Sequence, residues 1–345
     1  MAADVLAKRN LDERKILIVG GGGYIGTVVT DHLLTHGYRV RCLDSLIYEN
    51  QAAVLPLVLR PGYEFIRGDL CDLVRFEASL DGVTDVVLLA GLVGDPVTKA
   101  FPEVAERTND AGHDSMLRLL RGKRLNKVVF VSTCSNYGLV KGEQIAGEDF
   151  PLNPISLYAK SKVRFENILL DAARSIDFAP TVLRFATAFG LSSRMRFDLT
   201  VSEFIRDMYL GQELLVFDAD TWRPYCHVRD FAEVIRRVLE APIDSIAFEV
   251  FNAGGDANNY TKQMIVNAIL EQLPNARVRY QKHGSDPRNY RVNFQKIRDV
   301  LHFEPAVTVP EGIRELITAM QSGLFSDISK PESFYGNWRP SLVAS

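Results

Sequence analysis

The run from Lys15 to Gly26 constrains this chain more than any other stretch. Lys15-Ile-Leu-Ile-Val19 is a short, continuous apolar run of the kind a buried strand needs. It passes directly into Gly20-Gly-Gly-Gly-Tyr-Ile-Gly26, and Tyr24 to Thr35 then reads as a helix stopped by His36-Gly37. The register is GxxGxxG, on Gly20, Gly23 and Gly26. One glycine makes the tight turn, one lets the backbone approach a pyrophosphate, and one lets helix and strand pack closely. The first helical turn, with Tyr24 and Ile25, offers free N–H groups and a positive dipole end to phosphate. A strand, a glycine turn and a helix in this order point to a bound dinucleotide.

The second strand identifies which one. Arg39-Val-Arg-Cys-Leu43 ends at Asp44, 18 residues after Gly26. A carboxylate there accepts hydrogen bonds from the adenosine ribose hydroxyls and repels a 2′-phosphate, so NAD is expected rather than NADP. Arg41 falls before the strand end. Asp69-Leu70, after a third strand at Tyr63–Arg67, is placed for the adenine, or Asp69 caps the next helix. A fourth strand, Asp85-Val-Val-Leu-Leu-Ala90, brings Leu89 and Ala90 to the same cofactor set.

Strands keep alternating with helices. Lys127–Ser132 is a fifth strand and Thr181–Phe185 a further one, with helices expected over Val104–Arg121 and Tyr158–Arg174. This rhythm implies an α/β fold, a doubly wound parallel sheet covered on both faces. After Phe185 the rhythm breaks. Helices are expected at Val201–Leu210, Asp230–Leu239, Thr261–Leu273 and Pro310–Ser322, with a short strand at Phe248–Phe251. This region reads as too interrupted to extend the sheet. The chain therefore divides into an N-terminal arm (1–14), a Rossmann domain (15–185), a smaller, partly interwoven substrate-binding lobe (186–325) and an irregular tail (326–345).

Composition excludes several classes. The 345 residues are 47% apolar and 24% charged, with net charge −3, so a packed core is available and a nucleic-acid surface is not expected. No apolar run reaches membrane-spanning length, and Met1 to Lys15 lacks the apolar stretch of a secretory signal. Cys42, Cys71, Cys134 and Cys226 are far apart, without metal-ligand spacing, and read as reduced thiols of a cytoplasmic protein with no metal.

The chemistry centres on Tyr158-Ala-Lys-Ser-Lys162. Positions i and i+4 share a helix face, so the Lys162 ammonium is expected beside the Tyr158 hydroxyl. A nearby cation lowers a tyrosine pKa from about 10 and makes Tyr158 a general base for a substrate hydroxyl. The fifth strand ends in Ser132-Thr133-Cys134-Ser135-Asn136-Tyr137-Gly138. A hydroxyl at that end faces the cofactor crevice, so Thr133 or Ser132 can hydrogen-bond the reacting oxygen. Cys134 reads as a small packed side chain.

Together these residues resemble the extended short-chain dehydrogenase/reductases of the nucleotide-sugar epimerase/dehydratase family, from about Lys15 to Leu316. The anchors are Gly20–Gly26, Asp44, Gly68-Asp-Leu70, Ser132–Gly138, Tyr158 with Lys162, Leu183–Gly190, Arg223 and Arg288. The resemblance implies that Thr133 is the catalytic Ser/Thr and Tyr158 the base, and that Arg223 and Arg288 hold the diphosphate of a nucleotide-sugar. Thr187 stands where many members carry an asparagine on that diphosphate. A narrower likeness, in Leu92–Pro96, Asn153–Tyr158, Ser193–Leu199, Trp222–Asp230 and Arg288–Val292, is to a subgroup that includes GDP-manno-heptose C4 dehydrogenases of surface-polysaccharide pathways. There Arg194 and Arg196 help hold substrate, or form a mobile basic loop. The family also implies a homodimer through the Val104–Arg121 and Tyr158–Arg174 helices.

The same resemblance narrows the reaction. Members that dehydrate carry Asp-Glu directly after the catalytic threonine, where this chain has Cys134-Ser135, and a decarboxylase of the family uses the same glutamate. The cysteine of a GDP-mannose-type 3,5-epimerase matches Ser135, one place past Cys134. A plain ketoreductase would usually prefer NADP, against Asp44. Two outcomes remain after C4 oxidation: an epimerase that returns the hydride to the other face, or a 4-dehydrogenase that releases the ketone. A non-catalytic NAD-sensing Rossmann protein should lack Tyr158 or Lys162, and both are present.

Overall fold

The computed structural model describes residues 14–172, 175–284, 286–325, 328, 335–337 and 340. The arm before Arg14, most of the tail from 326 and the Arg174 end of one expected helix lie outside the described residues.

Seven strands form one parallel sheet: β1 (Lys15–Val19), β2 (Arg39–Asp44), β3 (Tyr63–Arg67), β4 (Asp85–Leu88), β5 (Lys127–Thr133), β6 (Ala179–Phe185) and β7 (Glu249–Ala253). Their spatial order is β7-β6-β5-β4-β1-β2-β3. Every residue of β4, β5 and β6 is buried, as a sheet covered on both faces demands. Alternation sorts the side chains. Ile16 and Ile18 enter the core under α1 (Tyr24–Thr35), beside Val29 and Leu33. Leu17 and Val19 enter the opposite core with Phe165 and Leu169 of α2 (Leu157–Asp171).

Helix α3 (Val228–Glu240) packs beside α1 on the first face, and Phe231 stacks on Phe185 with ring centroids 3.8 Å apart. This corrects the expectation that the chain after Phe185 cannot extend the sheet. Strand β7 pairs in parallel with β6 from Glu249–Thr181 to Ala253–Phe185. Its sequence is short and bounded by irregular chain, so local pattern concealed a partner that only tertiary packing supplies.

The remainder of the second region is a lobe of small sheets and helices. Thr187–Phe189, Trp222–His227 and Asn259–Thr261 form a three-stranded sheet. Helices Thr200–Tyr209, Lys262–Leu270 and Val309–Gln321 share a core that includes Val201, Ile205, Ile265, Ile269, Ile313 and Leu316.

The expected Val104–Arg121 helix is present from Pro102 to Leu120, with a π-helical section inside it. Pro102–Ala105 is α-helical, Glu106–Gly112 is a π-helix, and His113–Leu120 is α-helical again. At Gly112 a Cβ would stand 2.5 Å from Leu70 Cδ1, so this stretch is pressed onto the loop after β3. Among the described residues no helix is long and apolar enough to cross a membrane.

The strand order reverses between β4 and β1. In an open α/β sheet that reversal opens a crevice beyond the carboxyl ends of the strands.

Candidate active site

A cavity of about 450 Å³ occupies this crevice, between the sheet and the second lobe. Its floor is the glycine turn. Gly20 has φ +88°, and a Cβ there would lie 2.7 Å from the Ala90 nitrogen. A Cβ on Gly26 would lie 2.3 Å from the Gly20 carbonyl oxygen. Gly23 is the N-cap of α1 and receives no side-chain cap, so the helix end is left to a ligand. Tyr24 and Ile25 line the cavity with Leu89 and Ala90, whose N–H groups both donate to the Val19 carbonyl, at 3.0 and 2.8 Å.

Asp44 closes one end. Its carboxylate accepts from Gly22 N and Leu46 N, both at 2.8 Å, and each oxygen keeps lone-pair capacity for a hydroxyl donor. Burial raises its pKa, and those two N–H groups and the Arg194 charge oppose the rise. Arg41 is turned away, bound to Glu64 at 2.7 Å and to the carbonyls of Ser79 and Asp81. Asp69 and Leu70 also line the cavity. The cap of the following helix is Asp72, whose carboxylate accepts from Arg75 N; Asp69 accepts from Cys71 N at 2.9 Å.

Thr133, Tyr158 and Lys162 all line the cavity. Thr133 Oγ1 accepts from Ser135 N at 3.1 Å. The Ser132 hydroxyl donates to Glu166 instead, which leaves Thr133 as the strand-end hydroxyl free to serve a ligand. Lys162 Nζ donates to the Val131 carbonyl at 2.8 Å and lies 5.7 Å from the Tyr158 ring centroid.

The electrostatics differ from the simple expectation that Lys162 lowers the Tyr158 pKa. Burial pushes the Tyr158 hydroxyl well above its ordinary value, Arg196 opposes and Asp95 adds to the rise. Burial also draws the Lys162 ammonium down to about 7, with Glu166 opposing. The hydrogen bond that Lys162 makes is to a neutral carbonyl, which offsets little of the cost of burying its charge.

The far end carries the arginines. Arg288 meets Asp286 through two 2.8 Å contacts and Asp95 at 3.0 Å. Arg223 reaches Asp286 at 3.2 Å and stands over the Tyr290 ring, 4.9 Å from its centroid. Burial works against the Asp286 charge, yet Arg288 and Arg223 hold its carboxyl well below the usual range. Thr187 lines the cavity as the first residue of its small strand. Arg194 and Arg196 line it too, but both are buried and held rather than loose. Arg196 forms a fork with Asp198 at 2.9 and 2.6 Å.

Sequence reasoning missed two parts. One is a buried network beneath the turn after Thr133. Glu166 accepts from Asn136 at 2.7 Å and Arg184 at 2.8 Å, Arg184 also reaches Tyr137 at 3.1 Å, and Tyr137 donates to Asn252 at 2.7 Å. It fastens the turn after Thr133 to α2, β6 and β7. The Asn136-Tyr137 pair was visible, but its partners are remote in sequence. The other is a tail segment. Phe197 N donates to Tyr335 O at 2.7 Å, and Asn337 donates to Asp198 at 3.1 Å and to Val93 O at 3.3 Å. Asn337 thereby lines the cavity. Among the described residues no cluster of three His, Cys, Asp or Glu could hold a metal.

Residues 16–254 match the model of the NAD dependent epimerase/dehydratase family. The UDP-glucose 4-epimerase of Corynebacterium glutamicum is 28% identical over 335 residues, covering 90% of this chain and 96% of that protein. The dTDP-glucose 4,6-dehydratase of Streptomyces niveus is 27% identical, covering 88% and 91%. The UDP-glucose 4-epimerase of Thermus thermophilus, solved in complex with NAD, superposes with TM-score 0.77 at 25% identity, over 89% of this chain and 99% of that one.

Proposed function

This chain belongs to the NAD-dependent epimerase/dehydratase family, and from that membership we propose that it is an NAD-dependent nucleotide-sugar epimerase working through transient oxidation at sugar C4. The observation that carries this reading is the turn after Thr133. Cys134 is buried with its thiol on the Arg184 carbonyl, and the Ser135 hydroxyl meets Tyr290 at 3.3 Å. Neither is a carboxylic acid, so the turn lacks the acid/base pair that eliminating water from a 4-ketone needs.

The glycine turn, the first turn of α1, Asp44, Asp69, Leu70, Leu89 and Ala90 would hold NAD. Bound NAD supplies the acceptor, and then the donor, of one hydride. Tyr158 takes the proton of the C4 hydroxyl and later returns it, while Thr133 hydrogen-bonds the same oxygen. Lys162 Nζ lies 5.7 Å from the Tyr158 ring centroid, where its ammonium form is placed to support the negative charge that develops on the Tyr158 oxygen during proton transfer. Arg223 and Arg288 bind the diphosphate in forked, charge-assisted contacts, with Thr187 beside them. That grip leaves the sugar as the part free to turn over between the two hydride transfers.

Incubation with UDP-, GDP-, dTDP- and CDP-sugars tests this. A C4 epimer without net NADH is expected. NADH accumulating in proportion to sugar, with no epimer, selects the second reading, a nucleotide-sugar 4-dehydrogenase acting for example on a GDP-heptose. That reading is favoured by Asp95, Arg196 and Tyr290, which belong to the narrower sequence likeness and line the cavity together.

We further propose a homodimer through α2 and the neighbouring His113–Leu120 helix. Leu157 supports it, being 47% exposed on α2. A monomer by light scattering at micromolar concentration overturns it. Four free thiols support a reducing cytoplasm as its compartment.

A further inference from the structure

Arg194 is only 4% exposed, yet it has no carboxylate partner among the described residues. Its guanidinium donates to two carbonyls, Met195 O at 3.3 Å and Gly336 O at 3.0 Å, and lies 5.1 Å from the centroid of the Tyr48 ring. Arg196, two residues on, has Asp198 as counter-ion. A buried cation whose hydrogen-bond partners are neutral, with Asp198 and Asp44 acting on it only through space, keeps a desolvation cost that an anion arriving in the cavity relieves.

Position says which anion. Ser192 Oγ donates to the Tyr24 carbonyl at 2.7 Å and meets Thr27 Oγ1 at 3.0 Å. Tyr24 OH donates to Gly190 O at 2.7 Å, and Arg194 N donates to Ser192 Oγ at 3.2 Å. Residues 190–194 are thus stitched to the first turn of α1, the helix end that receives phosphate. Tyr48 follows β2, four residues after Asp44, and its hydroxyl is buried without a hydrogen-bond partner among the described residues. Its contact with the Tyr48 ring puts Arg194 on the side of the cavity where Asp44 stands, and the charges of Asp44 and Arg194 act on one another. Arg223 and Arg288 stand instead with Asp286 and Asp95.

We infer that Arg194, assisted by the Tyr48 hydroxyl, binds the pyrophosphate of the dinucleotide and completes the cradle begun by the glycine turn. Arg194 is then a cofactor residue contributed by the second lobe, not a substrate residue. Bound cofactor would hold the lobe and, through Gly336, the tail segment against the sheet. This assignment is independent of the nucleotide-sugar used and of the fate of its ketone.

Calorimetry on protein stripped of NAD tests it, with NAD, ADP and adenosine as probes. Arg194→Ala should lose about ten- to a hundredfold in affinity for NAD and for ADP, the scale of a lost hydrogen bond to a charged group. Adenosine, lacking phosphate, should bind as before. Arg194→Lys should fall between, because the charge remains and the fork does not. Tyr48→Phe keeps the ring under Arg194 and should repeat the pattern at smaller size, so the claim stays testable if Arg194→Ala does not fold. Equal loss for adenosine and ADP would mean a packing role and overturn the assignment. So would unchanged NAD and ADP affinity, or a loss confined to UDP and GDP measured under saturating NAD.

Discussion

Arg288 and Asp95 meet across the cavity at 3.0 Å. Asp95 stands beyond β4 in the nucleotide-binding half, and Arg288 belongs to the second lobe. One ion pair therefore bridges the two parts of the chain at the substrate end. Under the proposed function, a diphosphate bound by Arg288 would compete with Asp95 and Asp286 for that guanidinium. Arg288→Ala is expected to raise KM for the nucleotide-sugar by about tenfold or more with a smaller change in kcat. Steady-state kinetics check the split, and an unchanged KM removes Arg288 from the diphosphate site.

Tyr158→Phe keeps the ring and removes the proton acceptor. Turnover is expected to fall by about 10²–10⁴-fold, the usual contribution of a positioned acid or base. NAD affinity should stay near wild type. Single-turnover assays with separate NAD titration measure both, and wild-type turnover in the variant excludes Tyr158 as the base.

Asp44→Ala removes the ribose acceptor and the charge that repels a 2′-phosphate. The ratio of NADP to NAD dissociation constants should fall toward one, because Arg41 is already committed to Glu64 and is not free to select NADP. An unmoved ratio in binding titrations discards the ribose role.

Lys162 makes stability depend on pH. Its pKa is about 7 when folded against an ordinary value of 10.5. Between those values the unfolded chain holds more protons, so stability from this residue rises with pH through that window and is lowest below pH 7. Lys162→Met removes the buried charge. Its melting temperature relative to wild type should be most favourable at pH 6 and lose that advantage by pH 10. Thermal melts across this range decide, and a difference that grows with pH contradicts the depressed value.

Arg184 and Glu166 form the centre of the buried network, with side chains 6% and 1% exposed. Arg184→Met leaves Glu166 uncompensated and should cost about 3–5 kcal/mol. Adding Glu166→Leu should recover part of that loss. Urea unfolding compares the two, and a double variant weaker than the single one would falsify the account of Glu166 as a stranded charge.

Much of the nucleotide-binding half was legible from local pattern alone. Short apolar runs marked β1 to β6, and the glycine spacing placed the cavity floor before any contact was known. The helix that carries Tyr158 and Lys162 to the cavity was legible for the same reason, since the two sit one helical turn apart. What escaped was set by contacts distant in sequence. Strand β7 has no local signature strong enough to join it to β6, whose residues lie far earlier in the chain (Glu249 pairs with Thr181). The π-helix at Glu106–Gly112 ends against Leu70 and Cys71, a close approach that its own periodicity does not report. The low Lys162 pKa and the high Tyr158 pKa follow from burial, which spacing alone does not report. Asn337 lines the cavity from a tail that composition marked only as irregular.

The late arrival of β7 has a consequence for biosynthesis. When the ribosome has made Phe185, the glycine turn, Asp44, Thr133, Tyr158 and Lys162 are all synthesised, but β6 still lacks its outer neighbour. Helix α1 also lacks α3, so the core on that face of the sheet is incomplete until residues 228–253 emerge. The sheet cannot close while the nascent chain is at its halfway point. A translation pause or premature release between Phe185 and Glu249 would present an open, apolar strand edge to chaperones and to other nascent chains.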